Sequence, residues 1–97
     1  MKRSEMNAHQ KLAFDFICKV MSEYIGGYEN TLLDYPEDSE EYKDAKEFLG
    51  QSHEDLMNLI YDEVMERSDS GMARHLRFAG KDFILERIDR RLTKWDY

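Results

Sequence analysis

Cysteine occurs once, at Cys18, and proline once, at Pro36, in a chain of 97 residues. A lone cysteine excludes an internal disulfide, and with it the stapled architecture of small secreted domains; it fits a reducing cytoplasm. A lone proline leaves nearly the whole chain open to helix. No apolar run approaches the roughly 18 residues of a membrane span. In the opening MKRSEMNAHQKLAFDFICKV, Asp15 and Lys19 interrupt the stretch that would have to form a signal-peptide core. Glycine-rich phosphate loops are missing, because Gly26-Gly27 has neither the spacing nor a following Lys-Ser/Thr pair. An alternating strand pattern and an internal period are missing too, which argues against sheets and repeats.

Groups for catalysis are equally thin. His9, His53 and His75 lie far apart in sequence, one on each expected helix. His53-Glu54 begins like the zinc-protease helix motif, but Met57 stands where the second histidine belongs. No glutamate sits three residues before any histidine, so the carboxylate-bridged di-iron pattern is absent. Cys18 falls at the edge of an apolar arc, the position of a partly buried small hydrophobe, and a nucleophile would need a positioned base. Paired acid and base carboxylates need a cleft with two environments, which a thin bundle does not offer. The expectation is therefore no catalytic residue, no metal ligand set and no cofactor.

What remains is core material and charge. With 41% hydrophobic and 36% charged residues, the chain should form one soluble domain over residues 1–97 with a single core. Net charge is −7, and it is uneven: residues 1–35, 36–69 and 70–97 carry −1, −9 and +3. An acidic middle followed by a basic end points to partners rather than to chemistry.

Periodicity predicts an all-α fold. Over residues 7–34, Leu12, Phe16, Ile17, Val20, Met21, Tyr24, Ile25, Tyr28 and Leu32 recur at three- and four-residue steps. Their arc covers about half the circumference, wider than one partner helix requires. Gly27 lies inside that arc, which suggests close approach of a neighbour there; a break at Gly26-Gly27 is the alternative. Tyr35-Pro36 ends the helix. Ser39 caps the next, with Glu40 and Glu41 in its first turn. In that second helix Tyr42, Ala45, Leu49, Leu56, Ile60 and Val64 share one face. Both its apolar and acidic stripes keep phase across Gly50, so one rod over 39–67 is expected, about 42 Å long, despite a second capping residue at Ser52. A turn at 68–71 leads to a third segment over 70–95, capped by Asp69 or Ser70. There Met72, Leu76, Ala79 and Phe83 form one stripe, and Ile84, Ile88, Leu92 and Trp95 another, displaced by roughly 120°. That slip predicts a kink at Gly80, or two helices of about 70–79 and 82–95. The economical assembly is an antiparallel three-helix bundle, and a homodimer through the first helix would bury its surplus apolar arc.

Two charged surfaces follow from this geometry. On the second helix Glu40, Asp44, Glu47, Glu54, Asp55 and Asp62 fall within about 100° of arc, opposite the apolar face. The plain reading is a solvated face that keeps a small protein soluble. The sharper one is a decoy: acids standing about 5–10 Å apart along a helix approximate phosphate spacing, so the face could fill a basic groove on a protein partner. On the last helix Arg87, Arg90, Arg91 and Lys94 form a basic strip opposite Ile84, Ile88 and Leu92. It could contact phosphates, or it could simply complement the helix dipole, diluted by Glu86 and Asp89. Around LRFAGKDFILERI a helix-turn-helix fits poorly, since Leu76 and Glu86 occupy places that want a small and a buried aliphatic residue. The overall negative charge also opposes approach to DNA.

The stretch NAHQKLAFDFICKVMSEYIGGYENTLLDYPEDSEEY, with the Arg-Phe-Ala-Gly-Lys and Leu-Thr-Lys-Trp segments near the end, resembles the small, acidic, helical accessory proteins of phages and prophages of Gram-positive bacteria. The likeness is one of size, charge and texture over most of the chain. Some of those proteins are anti-CRISPR or other anti-defence inhibitors that bind host nucleases. The resemblance implies a stoichiometric inhibitor and designates no site residues; the residues themselves point to a non-catalytic cytoplasmic interaction protein.

Overall fold

Asn7 begins the first helix by a reciprocal exchange: its side chain accepts from the Gln10 backbone N–H at 2.8 Å, and the Gln10 side chain accepts from the Asn7 N–H at 3.0 Å. From that cap, helix α1 runs Ala8–Asp34 without a break in the computed structural model, which describes residues 3–93. Four more helices follow, α2 Glu40–Leu49, α3 His53–Arg67, α4 Ser70–Ala79 and α5 Lys81–Thr93, and a 3-10 turn at Arg3–Glu5 precedes α1. The described residues contain no strand, and no helix among them is long and apolar enough to cross a membrane.

At 27 residues α1 is about 40 Å long, close to the 46 Å long axis of the molecule. It packs against each of the other four helices; α5 in turn packs on α3 and α4. The breadth of its apolar arc is thus taken up inside one chain, burying Ala13, Ile17, Val20, Met21 and Ile25. The surplus that suggested a homodimer is largely covered by the chain itself. Burial of each of the four larger side chains is worth about 1.5–3 kcal/mol. The expected close approach at Gly27 is not found, because a Cβ at Gly26 or Gly27 would meet nothing within 4 Å. The helix passes through both glycines because Tyr24, Ile25 and Tyr28 on either side are held by the core.

The expected rod over 39–67 is two helices. Gly50 closes α2, its N–H donating to Lys46 O at 2.9 Å, while Gln51 donates to Phe48 O through its backbone N–H at 3.3 Å and through its side chain at 3.2 Å. Ser52 opens α3 by accepting from the Asp55 N–H at 3.2 Å. The break has a local cause: a glycine that can end a helix is followed within two residues by a good cap, and the two together satisfy end groups that a continuous helix would satisfy axially. Space is tight as well, a Cβ at Gly50 standing 3.1 Å from Lys46 O.

The third segment divides as the phase slip predicted. Asp69 caps α4, accepting from the Met72 N–H at 2.7 Å. Gly80 separates α4 from α5 at φ 92, ψ 150, a region open to glycine and closed to other residues. The corner lets Leu76 on α4 and Phe83, Ile84, Ile88 and Leu92 on α5 all reach the core. A three-helix bundle is therefore too simple: two of its three rods are bent into pairs around α1. Trp95, assigned to the second apolar stripe, lies outside the described residues.

Candidate functional site

The break at Gly50 divides the acidic ladder. Glu40, Asp44 and Glu47 stand on α2, and Glu54, Asp55 and Asp62 on α3; all six are exposed. Among the described residues none of the six forms an ion pair. The carboxylates therefore do not form a single straight phosphate-spaced row, which rules out that form of the decoy. What persists is two shorter anionic faces with little cation nearby. Arg67, one of three cations in this region, is engaged by Glu63 at 2.7 Å and Glu23 at 3.0 Å; the Glu63 hydrogen bond in particular holds its guanidinium above its ordinary pKa. Lys46 lies over the Tyr42 ring, 5.9 Å from its centroid.

On α2 the acids adjoin something that periodicity does not reveal. Phe48 stacks on Tyr28 of α1 with centroids 4.0 Å apart and planes at 11°, and Tyr24 meets Phe48 edge-on at 5.4 Å. A shallow groove of about 450 Å³ is lined by Tyr28, Asp44, Glu47, Phe48 and Gln51. Two carboxylates beside a stacked aromatic pair can receive a guanidinium or ammonium by charge, with only an outer ring face left for a quadrupole contact. Burial, with Tyr28 and Glu63 beside it, pushes the Tyr24 phenol above its usual pKa. In the sequence Tyr28 counts as core and Phe48 has no role. The available signal was the spacing of Phe48, four residues after Asp44 and beside the buried Leu49.

The basic strip is not an open surface. Arg87 is only 7% exposed, its guanidinium lying over Phe83 at 5.5 Å and Phe14 at 5.9 Å. It turns inward because α5 packs on three helices and buries a wider arc than one stripe supplies. Arg90 is exposed and reaches Glu86 at 3.2 Å, while Arg91 donates to Ser22 Oγ at 3.3 Å. Lys94, the fourth member, lies outside the described residues.

Folding also unites two of the scattered histidines. His9 Nδ1 and His75 Nδ1 stand 2.9 Å apart with ring centroids at 5.1 Å, and His9 stacks on Phe78 at 4.7 Å. The centroids are nearly as far apart as that nitrogen contact allows, so the nitrogens face each other along a hydrogen-bond line rather than converging on a shared ion. His53 pairs instead with the Asp89 carboxylate on α5. Among the described residues no group of three or more His, Cys, Asp or Glu could hold a metal. Comparison with protein-family models, with curated proteins and with solved structures gives no match.

Proposed function

We propose that the chain is a non-catalytic cytoplasmic interaction module whose α2 face, Glu40, Asp44 and Glu47 with the Tyr28–Phe48 groove, docks on a basic surface of a protein partner. The supporting observation is the conjunction of exposed carboxylates without ion pairs and an aromatic wall beside them. Acids serving only solubility would gain nothing from that wall. A partner arginine seated there would exchange hydration for a carboxylate pair and a ring face, the kind of anchor that dominates interface energies. Glu54, Asp55 and Asp62 on α3 widen the field that steers the encounter.

In this reading the partner surface is one that otherwise binds nucleic acid, and the protein is an inhibitor of the kind that the resemblance to phage anti-defence proteins implies. Capture of host proteins with the wild type and with Glu40→Lys/Asp44→Lys/Glu47→Lys tests it, followed by competition of the captured protein against a labelled oligonucleotide. The expected result is capture and displacement by the wild type and neither by the variant. Equal capture by both would overturn the assignment to α2. Direct nucleic-acid binding through Arg87, Arg90, Arg91 and Lys94 has less support, since Arg87 is buried; no gel shift is expected at low salt and micromolar protein.

A further inference from the structure

Helices α2 and α4 share one plan with opposite charge. Each has ten residues, a side-chain N-cap, at Ser39 and Asp69, and a glycine C-cap, at Gly50 and Gly80. The fifth, eighth and ninth residues of α2 are Asp44, Glu47 and Phe48; those of α4 are Arg74, Arg77 and Phe78. Arg74 and Arg77 are exposed, and α4 contains no acidic residue. Among the described residues neither arginine forms an ion pair. Phe78 is 61% exposed although its ring stacks on His9 and lies under the Arg74 guanidinium at 5.8 Å. An aromatic ring left in water and edged by arginines without counter-charges has the composition of a contact surface.

The same molecule carries a surface that fits it. Asp44 and Glu47 are exposed, without ion pairs, and three residues apart like the arginines. Both rows therefore step by about 4.5 Å and can pair one to one between helices laid side by side. Within one chain the rows stay apart: α4 meets α1 at His9 and α2 meets it at Tyr28, about 28 Å away along the axis. A net charge of −7 does not prevent self-pairing, since a screening length of about 8 Å at physiological salt lets neighbouring charges outweigh distant ones. We propose that α4 docks on the α2 face of a second copy of this chain, with Arg74 and Arg77 on Asp44 and Glu47 and with Phe78 packed beside the Tyr28–Phe48 groove. The inference rests on the reading of α2 as a receptor for guanidinium groups. Self-pairing covers that face until a stronger basic surface displaces it.

Exposed ion pairs are individually weak, so the association is concentration- and salt-dependent, and sedimentation equilibrium of the purified chain from micromolar to millimolar concentration tests it. The wild type should associate reversibly at physiological salt, and about tenfold or more weakly at about 1 M salt, where screening shortens to about 3 Å. Arg74→Glu/Arg77→Glu and Glu40→Lys/Asp44→Lys/Glu47→Lys should each remain monomeric, with circular dichroism confirming the fold. Their equimolar mixture should associate, because each variant supplies the sign that the other lacks. Arg74→Gln/Arg77→Gln, which adds no new charge, should weaken association about tenfold and keeps the test in force if a reversal unfolds the chain. A wild type that is monomeric at millimolar concentration overturns the proposal, as does association that survives both reversals, or a mixture that stays monomeric. A chain that captures a host protein through α2 yet never self-associates overturns only this inference; one that self-associates through both faces yet captures nothing overturns only the docking role on a host partner.

Discussion

The two halves of α1 support opposite surfaces. Toward its C-terminal end, Tyr24 and Tyr28 carry the aromatic contact with Phe48 and a shallow, acidic groove. Toward its N-terminal end, Phe14, Ile17 and Met21 floor a deeper hollow edged by arginines. Phe14 and Tyr28 are about 21 Å apart along the helix axis at 1.5 Å per residue. One rigid element therefore holds an anionic face and an arginine-edged hollow at a fixed separation, more than two screening lengths apart at physiological salt. The lesson is that a net charge of −7 says little about either place; the helices that fold back on each half decide its sign.

The strongest way to test whether both halves rest on one core is to cut a cavity under each. Ile17→Ala and Ile25→Ala, at residues 1% and 0% exposed, should each lower stability by about 2–5 kcal/mol in urea unfolding. A cost under about 1 kcal/mol at either position would mean that its half is not built on the common core. Glycines give a smaller and more selective contrast. Gly80→Ala should cost about 1–3 kcal/mol, because alanine cannot adopt φ 92 without strain. Gly27→Ala should raise stability by about 0.4–1 kcal/mol, since its site is helical and open. If the Gly27 variant is instead destabilised, the aromatic half is packed more tightly than described.

Smaller still are two titrations, one in each half. The Tyr24 phenol holds its proton more tightly folded than unfolded, chiefly through burial. Its contribution is complete below the ordinary tyrosine value of about 10 and is lost as pH rises through the higher folded value. Tyr24→Phe should flatten that alkaline decline, as read by urea midpoints at successive pH values. In the N-terminal half, the hydrogen bond from Arg3 holds the Asp15 carboxyl below its usual range. That contribution is present above about 3.9 and is lost as pH falls through the lower folded value. Arg3→Gln should remove it, with only a slight change at neutral pH because both side chains are exposed.

Much of the fold was legible because it rests on local rules. The extent of α1, the caps at Ser39 and Asp69, the corner at Gly80 and the inward faces of α2 and α3 follow from period, capping chemistry and backbone freedom. The break at Gly50 was missed because Gly50, Gln51 and Ser52 leave the apolar stripe of α3 in the angular position that a continuous helix would give it. Phase alone cannot distinguish the two; the glycine and the second cap could have. The exposure of the six acids was readable, but the Tyr28–Phe48 wall was not, since it joins residues on different helices. Arg87 reads as surface from its charge, and only the crowding of α5 by three helices explains its burial. His9 and His75 are 66 positions apart, beyond the reach of any local pattern.

Among the described helices α1 alone touches all the others, while α5 also joins α3 and α4. Amides midway along α1 should exchange with deuterium only when the whole molecule opens. Those of α2, which packs chiefly on α1, should exchange sooner, so the segment proposed to meet a partner is also the one that can be lifted away without dissolving the rest.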